Sequence, residues 1–106
     1  MDTENFALAL IQVIGLATHS MNYDGTPREY NDESILTMVT TSIYGHVAMH
    51  LPAACSYTKI RKAFENEHWY SINCFDGPQY RRDLKGRIVA LVQSMIDDHA
   101  ELALLK

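Results

Sequence analysis

The run Phe6–Ala17 (FALALIQVIGLA) limits what this chain can fold into more than any other stretch. At about 100° per residue, Glu4, Asn5, Gln12, Gly15 and His19 share one narrow polar arc, and the rest of the circumference is apolar. A helix of that kind has to be covered on several sides. The run is also too short and too interrupted for a bilayer, which needs roughly 20 apolar residues. The sequence therefore predicts a buried central helix that the other segments cover.

With 106 residues the chain has material for one domain, 1–106. Its 47% hydrophobic and 21% charged residues belong to a globular protein rather than a disordered one. Asp2 and Glu4 precede the apolar run without any basic residue, so a secretory leader is not expected. Cys55 and Cys74 form no CxxC pair and are expected as reduced thiols of a cytoplasmic protein.

The remaining helices follow from caps, stops and stripes. Asp2 or Thr3 caps the first helix, and the loop to Asn31 carries the turn signal Asp24-Gly25-Thr26-Pro27. Asn31-Asp32-Glu33-Ser34 opens a second helix whose stripe is Ile35, Leu36, Val39, Ile43 and Val47, and Pro52 stops it near Leu51. Its β-branched run Val39–Ile43 is strand-like only locally. Ser56 caps a third helix through about Glu67, with Tyr57, Ile60 and Phe64 inward. Trp69–Phe75 alternates and is aromatic, Asp76-Gly77-Pro78 turns, and Tyr80-Arg81-Arg82 pairs back, which predicts a short hairpin or an extended loop over 69–82. Asp83 caps a last helix striped by Leu84, Ile88, Leu91, Val92, Met95, His99 and Leu102. The expected fold is all-α: four helices with an aromatic hairpin or loop before the last.

Residues that carry chemistry are sparse. His46 and His50 have the HxxxH spacing of a metal pair and project onto the apolar face of the second helix, with His99 on that of the fourth. No acid stands between them as in HExxH, and satisfied core histidines are the expectation, with no metal and no cofactor. No GxSxG elbow or phosphate-cradling glycine loop is present, so no enzyme activity is expected. A helix, the turn Pro52–Cys55 and a helix opening SYTKIRK have the outline of a helix-turn-helix. With a wing at 69–82, residues 47–82 give the alternative expectation, a DNA-binding regulator.

Charge favours a different partner. The chain carries −4, which argues against coating nucleic acid. Residues 56–87 nevertheless carry +3 and the remainder −7, so a basic middle faces acidic flanks. Most of the aromatics lie in that middle, and Trp, Tyr and Arg dominate interface hot spots. The expectation is a small regulator, inhibitor or adaptor of the phage-accessory kind, binding a protein with an acidic surface. Lys59, Arg61, Lys62, Trp69, Tyr70, Tyr80, Arg81 and Arg82 are the expected contacts. The third and fourth helices both run basic to acidic, against their dipoles, an order that is self-complementary when antiparallel. Either those two helices of one chain or two chains about a dyad can use it. The second case predicts a homodimer through Arg87, Val92, Met95, Ile96 and Asp98.

Overall fold

The computed structural model describes residues 2–18, 32–69, 72 and 77–104. Four helices account for nearly all of them: α1 (Thr3–Thr18), α2 (Asp32–His50), α3 (Tyr57–Phe64) and α4 (Gly77–Leu104), with a 3-10 turn at Pro52–Ala54 before α3. No strand occurs among the described residues. No helix of theirs is long and apolar enough to cross a membrane.

Local chemistry starts and stops these helices. The Asp2 carboxylate accepts from the backbone N–H of Asn5 at 3.2 Å and from the Asn5 amide at 2.6 Å, so Asp2 caps α1. Ser56 caps α3 by accepting from the Lys59 N–H at 3.3 Å. Pro52 lacks the N–H that would extend α2, and the chain tightens there into the 3-10 turn. Within α2 the buried Thr40 hydroxyl donates to the Leu36 carbonyl at 2.7 Å. A β-branched polar residue is thus satisfied inside a helix, and the strand propensity of 39–43 is overridden.

Neighbouring helices alternate in direction. The start of α1 meets the end of α2, where Phe6 stacks on His46 with ring centroids 4.0 Å apart. Tyr44 of α2 touches Tyr57 at the start of α3, and Arg61 further along α3 reaches Glu33 at the start of α2. Lys59 reaches Asp98 late in α4, while Arg87, early in α4, reaches Glu67 just past α3. The core joins Leu10 and Ile14 of α1, Val39 and Ile43 of α2, Ile60 and Phe64 of α3, and Leu84, Ile88 and Val92 of α4. Burying each such side chain contributes about 1.5–3 kcal/mol relative to leaving it in water.

Two expectations are corrected here. The central helix is α2, which packs on α1, α3 and the 3-10 turn, whereas α1 packs chiefly on α4 and α2. Its buried side is Ala7, Leu10, Ile11 and Ile14, while Leu8, Val13 and Leu16 face outward, Leu16 at 72% exposure. An apolar circumference shows what a helix tolerates, not how many neighbours it has. The second arm expected for the hairpin is helical instead: Gly77–Arg82 are the opening turns of α4, while residues 70, 71 and 73–76 lie outside the described residues. Proline sits well in a helix's first turn, where its missing N–H had no partner to lose, so Gly77-Pro78 opens this helix instead of turning the chain. Asp83, expected as the cap, lies inside α4 and accepts from the Gln79 amide at 2.9 Å.

Candidate functional site

The basic residues of α3 and early α4 are spent largely on their own chain. Lys59 Nζ lies 2.8 Å from Asp98 Oδ2. The Arg61 guanidinium donates to Glu33, whose carboxylate raises the Arg61 pKa further above its ordinary value. Arg87 pairs with Glu67, donates to the Ala63 carbonyl at 3.1 Å and lies 5.2 Å over the Phe64 ring. Arg82 donates to the Gln79 side chain at 2.9 Å. Lys62, Arg81 and Arg82 lie on the exposed surface.

The expected aromatic contacts divide differently. Trp69 is buried in the core with its ring 6.2 Å from that of Phe64, so it is corrected from partner contact to core residue. The indole packs beside Phe64 of α3, and burial there takes its large apolar surface out of water. Tyr80 is half-buried and its hydroxyl donates to Glu67, so it too binds its own chain. Tyr70 lies outside the described residues, as does Cys74.

The dimer seam expected on α4 is corrected in part. Val92 and Met95 are buried in the chain's own core and Ile96 packs against it. Arg87 and Asp98 are taken by Glu67 and Lys59. The complementary charge order is used between α3 and α4 of one chain, which run antiparallel.

A surface that sequence reasoning missed stands at the α2–α3 corner. Tyr44 and Tyr57, expected respectively as unremarked and as inward, are 41% and 39% exposed and meet edge to face at 6.0 Å. Arg61 interacts with Tyr57 as well as Glu33. The wheel carries the signal for Tyr44, which falls about 110° from the middle of the α2 stripe. Tyr57 occupies the first turn of α3, too close to the helix end for periodicity to place it. Behind this corner the Cys55 thiol donates to the Tyr44 carbonyl at 3.1 Å, and burial pushes its pKa up. That favours the thiol over the nucleophilic thiolate.

The histidines lie on a different face of α2, towards α1. His46 is half-buried against Phe6, with its Nε2 at 3.4 Å from the Thr3 hydroxyl; His50 is exposed, a correction to its inward placement, because α2 ends there. Their rings meet at 5.8 Å and 72°. Burial, then the charge of His50, holds the His46 pKa below its ordinary value. Among the described residues no three His, Cys, Asp or Glu side chains gather where they could hold a metal ion.

The helix-turn-helix outline is present as α2, the 3-10 turn and α3, but α3 has only 8 residues. The wing's second arm is helix, and Lys59 and Arg61 face carboxylates. Comparison with family models, with curated proteins and with solved structures finds no match for this chain.

Proposed function

We propose that this chain is a small protein-recognition domain that acts by binding, as a regulator, inhibitor or adaptor, and that it reads an acidic surface of another protein. One observation carries the proposal: a pair of tyrosines held edge to face on the surface, with Arg61, itself paired with Glu33, beside them. Tyr and Arg supply large, rigid, amphipathic contact area, and such residues carry most of the energy at interfaces. Nothing in the fold needs the tyrosine rings exposed, so their placement is what a partner would use.

The test is photo-crosslinking from position 44 in lysate of the source cells, compared between the native chain and a Tyr57→Ala, Arg61→Ala variant. A protein captured by the first and lost from the second supports the proposal, with a loss of more than about 30-fold per hot-spot residue. Capture that is indifferent to both substitutions removes it. Duplex DNA is the competing ligand, because α2, the turn and α3 keep their outline; binding that falls steeply with salt and needs Lys62 would favour that second reading.

A further inference from the structure

The exposed large apolar side chains lie mostly on two helices. Among the described residues they are Leu8, Val13 and Leu16 on α1, Tyr44 and Met49 on α2, and Tyr57, the partner of Tyr44. Charge is distributed the opposite way. Neither α1 from Asn5 to Thr18 nor α2 from Ser34 to Gly45 has a charged residue. The exposed positions of α4 hold Arg81, Arg82, Asp83, Arg87, Asp97 and Asp98. The domain thus has a charged wall of α3 and α4 and a neutral, partly apolar wall of α1 and α2.

Gly45 stands in the C-terminal half of α2 on that neutral wall. It is exposed, and a Cβ added there meets nothing within 4 Å. Glycine in a helix interior is less stable than alanine, and nothing inside the chain requires it. What it does permit is close approach from outside.

We propose that two copies of the chain associate through the α1/α2 wall, two-fold symmetric, with Val13, Gly45 and Met49 at the contact. Charge selects the occupant. A neutral wall leaves a charged partner's groups unpaired, whereas a second copy brings an equally neutral wall and keeps both charged walls in water. Area sets the strength. Helices of 16 and 19 residues are about 24–28 Å long and pack 8–10 Å apart, so the wall covers about 500 Å² per chain. About 1,000 Å² in all is the lower end for a specific interface, which makes the dimer weak and reversible. This contact is separate from the Tyr44–Tyr57 corner and does not depend on it.

Sedimentation velocity of the untagged full chain between about 5 and about 500 μM tests the proposal through mass action. The weight-average mass should climb from 12.1 kDa towards twice that value. Gly45→Glu, which enters open space and leaves the fold intact, should hold the mass at one chain throughout, as should Val13→Glu. Arg82→Glu on the charged wall should leave association unchanged. Circular dichroism confirms that each variant is folded; should Val13→Glu unfold, Gly45→Glu decides alone. A native chain that stays monomeric over the whole range, or one whose association survives Gly45→Glu, overturns the proposal.

Discussion

Replacing Glu67 by Ala should lower the stability of the domain by about 2 kcal/mol, most of it from one half-buried carboxylate. The Glu67 side chain is only 13% exposed and accepts from both the Tyr80 hydroxyl and the Arg87 guanidinium. A hydrogen bond to a charged group contributes about 1.5–3 kcal/mol when desolvated. Arg87 is 45% exposed and keeps the Ala63 carbonyl and the Phe64 ring, so its share belongs at about 1 kcal/mol or below after solvent screening. Tyr80 is the more sheltered partner and loses its acceptor, which adds about 1 kcal/mol. Glu67→Gln keeps an acceptor for Tyr80 and should recover about half of the loss. Urea unfolding followed by Trp69 fluorescence and by circular dichroism reads these differences, and in a chain of this size about 2 kcal/mol moves Tm by about 10 °C. If Glu67→Ala lies within about 0.5 kcal/mol of the native chain, the idea that this carboxylate fastens the end of α3 to α4 is wrong.

Two further outcomes follow from geometry elsewhere. Because the His46 pKa is lowered in the folded chain, its stability contribution is intact above the unfolded value of about 6.5 and is lost as pH falls from there through the lower folded value. Thermal melts should therefore weaken between pH 7 and 5, and His46→Phe, which keeps a ring on Phe6, should flatten that dependence. Gly86 lies exposed inside α4 with nothing within 4 Å of an added Cβ, so Gly86→Ala should raise stability by about 0.5–1 kcal/mol in the same urea assay.

How much of this was legible depended on whether one residue's own chemistry decided the outcome. Asp2, Ser56 and Pro52 act on backbone groups within a few positions, so caps and stop could be read directly. The stripe Ile35–Val47 is buried as its period implies. Gly77-Pro78 misled because the same pair suits a turn and a helix start, and the choice depends on what Leu84 and Ile88 pack against. Trp69 misled because an aromatic residue between helices fits a core and an interface equally well in composition. The shared basic-to-acidic order of α3 and α4 was visible, yet antiparallel pairing within a chain and across a dyad leave the same trace in sequence. The Tyr44–Tyr57 corner needed two helices in register, information that no single wheel contains.

The packing of α1 against α4 also governs how the chain meets the cell while it is being made. The Ala7, Leu10 and Ile14 side of α1 leaves the ribosome before the Leu84, Ile88 and Val92 side of α4, with which it shares the core. At about 5–20 residues per second, the two are separated by roughly 4–15 s of synthesis. During that interval α2 is present to shelter α1, but α4, on which α1 packs most, is not. A nascent chain stopped short of α4 therefore displays an uncharged apolar surface that the folded domain hides.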